Sequence, residues 1–126
     1  MSPFDRASLD GAVAAAVERG IGVLAKRPLA NAAWVFEEAP EAQDVRIYWD
    51  RMQAMAVDPS PLAWPELAVR FAAFAGGVSA ALVGTSSAAH LSDAVAAVGR
   101  GALDEALLAR LDHAWRTHGA SWRGVI

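Results

Sequence analysis

Two short apolar runs, Ile21-Gly22-Val23-Leu24-Ala25-Lys26 and Val78-Ser79-Ala80-Ala81-Leu82-Val83, constrain the fold more than any other feature of this chain. Their length, flanking glycines and nearby Pro28 favour strands. Nearly every position is apolar, the pattern of a strand covered on both faces. A long, helix-patterned segment separates the two. Such a connection implies parallel pairing through a right-handed crossover. Two strands of this kind need cover on both faces and both edges, yet the predicted helices suffice for one face. The expected fold is therefore α/β, a partial (β/α)8 TIM barrel: two parallel strands with four to five helices, one domain over residues 1–126.

The helices follow from apolar spacing and end signals. Residues 8–19 predict a first helix, with Ser8 as cap, Leu9, Val13, Ala16 and Val17 on one face, and Gly20 as the stop. Leu29 to Pro40 reads as a loop with Trp34 and Phe36 packed inward. A second helix is expected over 42–55 with Val45, Tyr48, Trp49 and Met52 as its stripe. Asp58-Pro59-Ser60-Pro61 is a breaker. A third helix starts near Pro65, burying Leu67, Ala68, Phe71 and Phe74. The fourth is expected over 88–98 and the fifth from Asp104 to about Thr117, with Leu107, Leu108, Leu111 and Trp115 inward. The five tryptophans read as core or interface anchors.

Composition narrows the class. The 126 residues are 55% hydrophobic, which opposes disorder, and the net charge of −3 gives no electrostatic pull toward nucleic acid or acidic membrane. Absence of cysteine excludes disulfides and thiolate metal sites. No histidine–carboxylate spacing suggests a metal centre. Charge near the start opposes a signal peptide, and the apolar stretches fall short of membrane-spanning length. The expectation is a soluble cytoplasmic protein.

Chemistry concentrates at the ends of the two strands. Gly84-Thr85-Ser86-Ser87 joins the second strand to the fourth helix, a turn of small residues that aims backbone N–H groups and a positive helix end at one spot. It suits a phosphate; a plain helix cap by Ser86 or Ser87 is the alternative. Lys26, the only lysine, closes the first strand, where barrels place their chemistry. A desolvated lysine could form a Schiff base, as in a lyase; the alternative is an amine snorkelling outward to pair with Glu37 or Glu38. His90 falls in the first turn of the fourth helix, where an imidazolium is disfavoured. His113 and His118 lie near the end of the fifth, where positive charge is favoured.

Several of these stretches resemble the C-terminal part of the aldo-keto reductases. Phe4-Asp5-Arg6 looks like the segment after the sixth barrel strand. Residues 22–31, including Lys26-Arg27-Pro28-Leu29-Ala30-Asn31, resemble the seventh strand and its loop in a bacterial subgroup. Trp64 to Phe71 is similar to the helix before strand eight. Residues 78–91 are similar to strand eight and the phosphate turn, the most specific piece. Trp122-Arg123-Gly124-Val125-Ile126 resembles tails of that subgroup. The resemblance implies an NADP-dependent oxidoreductase whose cofactor-binding positions here are Lys26, Arg27, Pro28, Leu29, Gly84, Thr85, Ser86, His90 and Asp93.

The chain also departs from that family. Its catalytic tetrad lies on early strands that have no counterpart here, so no catalytic residue is assigned, and Tyr48 is not the family's proton donor. Lys26 replaces an aromatic that stacks on nicotinamide, Ala94 replaces an asparagine that touches adenine, and His90 replaces an arginine that reads the 2′-phosphate. The expectation is a C-terminal fragment that supplies the cofactor-phosphate end of the site and is inactive alone. Its partner is the missing N-terminal barrel half or another copy of itself. The alternatives are a non-catalytic self-associating protein and a lyase using Lys26.

Overall fold

The computed structural model describes residues 1–125, so Ile126 of the tail lies outside the described residues. Two parallel strands form its sheet: β1 (Leu24–Lys26) and β2 (Ala80–Leu82), in the register Leu24 to Ala80, Ala25 to Ala81 and Lys26 to Leu82. Both are shorter than the apolar runs predict. The approach to the ladder is stitched by Ser79, whose Oγ accepts from the Val23 N–H at 3.0 Å while its own N–H donates to the Val23 carbonyl.

Cover on both faces, as the composition implied, is not what the sheet has. Ala25 is buried and Ala81 half-buried on one face. On the other, Leu24 stands 62% exposed and Leu82 52%, beside exposed Lys26 and Ala80. The apolar strands thus present a bare face and unpaired outer edges among the described residues. The open α/β arrangement is established; closure into a barrel is not.

The remaining regular structure is helical, and the helix that precedes β2 packs against that strand. The first begins as a π-turn, Leu9–Val13, and continues as α1 (Ala14–Glu18). Ser8 does not cap it, because Ser8 is itself in helical conformation, and Val17 is exposed rather than buried. The segment after β1 is not a plain loop: Ala30–Val35 forms a 3-10 segment, with Phe36 turned outward. The helices α2 (Gln43–Met55) and α3 (Trp64–Phe74) complete the crossover. Pro65 sits in the first turn of α3 as its fixed φ favours, but Phe74 is exposed. After β2 come α4 (Ala88–Gly99) and α5 (Glu105–Ala114), which runs on as a π-turn, Trp115–Gly119. Asp104 caps α5 by accepting from the Leu107 N–H at 2.8 Å.

Two apolar clusters hold these parts. Phe4, Ala30, Ala33, Tyr48, Met55 and Ala114 form one, flanked by all five tryptophans. Trp34 stacks on Trp64 with centroids 6.2 Å apart, and Trp115 meets Trp122 edge-on at 5.6 Å. Leu67, Phe71, Leu103, Leu107 and Leu111 form the second, between α3 and α5. Arg51 ties the chain ends together. It is buried, donates to the carbonyls of Phe4 (3.1 Å) and Arg123 (2.7 Å), and lies 3.6 Å from the buried Asp5 carboxylate. No helix is long and apolar enough to cross a membrane among the described residues.

Candidate functional site

The segments that leave β1 and β2 meet the start of α3 and the length of α4 around one cleft of about 680 Å3. Leu29, Ala32, Trp34 and Val35 line it from the β1 side. Val83, Gly84 and Thr85 come from the β2 side. Pro65 and Glu66 of α3, with His90, Asp93, Ala94 and Ala97 of α4 and Arg100 just after it, close it. The cleft lies beyond the C-terminal ends of both parallel strands, where open and closed parallel sheets gather their ligands.

Five of the nine cofactor positions expected from sequence come together here: Leu29, Gly84, Thr85, His90 and Asp93. The other four do not line the cleft. Ser86 is exposed, and the cap of α4 is Ser87, whose Oγ accepts from the His90 N–H at 3.3 Å. Thr85 Oγ1 accepts from the Ser87 N–H at 3.1 Å. These two local bonds use two of the four donors at the helix start; among the described residues the Ala88 and Ala89 amides have no hydrogen-bond partner, and neither residue lines the cleft. The turn is thus a helix cap, made by Ser87. Pro28 is buried, and Arg27 is half-buried with its side chain bonded to Tyr48. Burial pushes the Tyr48 hydroxyl above its ordinary range, opposed by that bond to Arg27.

Lys26 stands apart. It is exposed and borders a second, smaller cavity of about 380 Å3 beside Asp5 and Val13. Its carbonyl accepts from the Met1 amino group at 2.7 Å. No ion pair joins it to Glu37 or Glu38 among the described residues. The desolvation that an amine needs for Schiff-base chemistry is missing, so the lyase alternative gains no support.

The wall after β1 is strained. Arg27, Ala30, Asn31 and Ala32 all have positive φ, and none is glycine. Left-handed backbone costs Arg27, Ala30 and Ala32 about 1–2 kcal/mol each, and Asn31 less, because its short polar side chain tolerates that conformation. Asn31 helps hold the run in place, donating through Nδ2 to the carbonyl and carboxylate of Asp44 at 3.0 and 3.1 Å.

Sequence reasoning missed Glu66 and Arg100. Arg100 donates from Nε to Glu66 Oε1 at 2.9 Å and from Nη2 to Oε2 at 2.8 Å. Arg70 adds a bond to Oε1 at 2.8 Å. Hydrogen bonds from Arg100 and Arg70 hold the Glu66 carboxyl below its ordinary range, and the pairing with Glu66 raises Arg100. Only the spacing of Glu66 and Arg70, four residues apart on a helix, was visible beforehand. Among the described residues no group of three histidines or carboxylates could hold a metal ion. No family model, no curated protein and no solved structure matches the chain.

Proposed function

We propose that this chain is the C-terminal portion of an aldo-keto-reductase-like (β/α)8 barrel and supplies the adenosine and pyrophosphate end of a dinucleotide site. NADP is the cofactor that the resemblance implies. One observation carries this reading: the segments after both parallel strands converge on a single cleft at whose rim α4 begins. In α/β barrels the loops after the last two strands commonly form a phosphate site. The Ala88 and Ala89 amides, with the positive end of α4, would meet the pyrophosphate. The apolar wall of Trp34, Val35, Ala94 and Ala97 would cover the adenosine.

Hydride transfer needs the nicotinamide end of such a site, and this chain offers no residue for it. The expected behaviour is binding without turnover. The test is tryptophan quenching of the 126-residue chain by NADPH, run beside NADPH oxidation with varied aldehydes. Saturable quenching with no oxidation supports the reading. Absence of saturation, or oxidation that survives purification, contradicts it.

The bare sheet face favours a second reading, a self-associating protein without catalytic role. Leu24 and Leu82 are about half exposed or more on neighbouring strands with open edges, a combination that invites pairing. Light scattering over a concentration series separates the two, because a monomer at every concentration removes the second reading.

A further inference from the structure

In a parallel ladder, alternate residues turn their N–H and C=O groups to opposite edges. The Val23 carbonyl accepts from the Ser79 and Ala80 N–H groups at 2.8 and 3.3 Å, so Val23 and Ala25 face β2 while Leu24 and Lys26 face outward. The outward Lys26 carbonyl is taken by the Met1 nitrogen at 2.7 Å. The Leu24 N–H, the Leu24 carbonyl and the Lys26 N–H have no partner among the described residues. They open on the cavity of about 380 Å3, which Val23, Leu24, Ala25 and Lys26 line in unbroken succession. Because side chains alternate between faces, four consecutive lining residues mark a groove along the strand edge. Val13 of the first helical turn and Val125 of the tail give it apolar walls.

We infer that this groove receives an extended segment of another polypeptide as a third strand, parallel to β1, with an apolar side chain opposite Leu24, a small one opposite Ala25 and a carboxylate opposite Lys26. Main-chain bonds supply the affinity of such strand addition and alternate side chains its specificity. A parallel residue opposite Ala25 donates to the Leu24 carbonyl and accepts from the Lys26 N–H, and the residue two places before it accepts from the Leu24 N–H. All three idle groups are then used, and the next donor on that edge is the Met1 nitrogen already in place. An antiparallel strand would bring its own N–H against that nitrogen. Laterally paired residues project to one face. On that face Leu24 is 62% exposed, and no ion pair engages the exposed Lys26 ammonium among the described residues. The carboxylate of the groove itself, Asp5, is engaged: it accepts from the Val125 N–H at 3.0 Å and lies 3.6 Å from the Arg51 guanidinium. The charges that an incoming acidic residue meets are therefore those of Lys26 and the Met1 amino group. The groove and the nucleotide cleft share no lining residue, so the two sites stand or fall separately.

The test is an amide-resolved nuclear magnetic resonance titration of the full chain with a capped four-residue peptide, alanine-valine-alanine-glutamate, at millimolar concentration. Saturable shifts concentrated at the Leu24 and Lys26 amides are expected. Methylating the backbone nitrogen of the second alanine, the donor to the Leu24 carbonyl, should weaken binding about tenfold or more. Methylating that of the valine, which faces away from β1, should leave it unchanged. Glutamine in place of the glutamate should cost about two- to fivefold, and Lys26→Gln, at an exposed position that leaves the chain folded, should erase that difference. No saturable shift at Leu24 and Lys26, equal loss from the two methylations, or equal binding of the reversed peptide overturns the inference. So does protection of the same two amides by a rise in chain concentration alone, because a second copy then holds the edge.

Discussion

Ala88→Pro separates the backbone of the proposed phosphate turn from its side chains. Ala88 is the first residue of α4 and is exposed, and proline is well tolerated there because its missing N–H has no place in the helical ladder. Ser87 has φ −107° and ψ 120°, the extended conformation that a residue before proline prefers. The substitution should therefore leave α4 intact and stabilise the chain by about 0.4–1 kcal/mol, through a stiffer unfolded state. It deletes one of the two amides proposed to meet a phosphate. A hydrogen bond to a charged group contributes about 1.5–3 kcal/mol, so the affinity for ADP should fall roughly 10- to 150-fold. Calorimetric titration and urea unfolding read the two effects separately. Ala88→Gly, which keeps the N–H, should bind like the unaltered chain. Unchanged affinity in a folded Ala88→Pro protein would refute the claim that these amides hold the anion.

Three further outcomes follow from the packing. Arg51→Ala removes the buried link among Phe4, Asp5 and Arg123 and leaves the buried Asp5 carboxylate without its cation, with the Val125 N–H as a remaining donor; a loss of about 3–5 kcal/mol in denaturant midpoint analysis is expected, and a loss under 1 kcal/mol would show that the link is dispensable. Ala32→Gly relieves a left-handed residue with φ 54° and ψ 38° and should raise the melting temperature, by an amount corresponding to up to about 1 kcal/mol; a lower melting temperature contradicts the strain. Glu66 titrates below its ordinary 4.5 in the folded chain, so its pairing contributes stability above that pH and the contribution disappears as pH falls through the lower folded value. Glu66→Gln should flatten this part of the acid-unfolding profile, and an unaltered profile would exclude Glu66 as its source.

Element types were readable because their signals are local. Apolar spacing and end residues placed α2, α3, α4 and α5 within a few residues, and the Asp104 cap followed from side-chain type alone. The parallel pair was readable from the long crossover between two apolar runs. Burial was harder, because an apolar strand looks the same whether its cover lies in the same chain or not; Leu24 and Leu82 are exposed although their composition suits an interior. The left-handed run Ala30-Asn31-Ala32 was invisible, since no glycine marks it. The choice between Ser86 and Ser87 as cap turned on one residue of register. Glu66 and Arg100 are 34 residues apart, and only the packed helices bring them together.

The most direct test of the central claim is an amide-resolved nuclear magnetic resonance titration of the chain with ADP. If the turn after β2 and the start of α4 form the phosphate cradle, the largest shifts fall on Ala88 and Ala89, with smaller ones at Gly84, Thr85 and along the cleft wall at Ala32 and Trp34. Shifts scattered over surface arginines such as Arg116 and Arg123, with Ala88 and Ala89 unmoved, would contradict it.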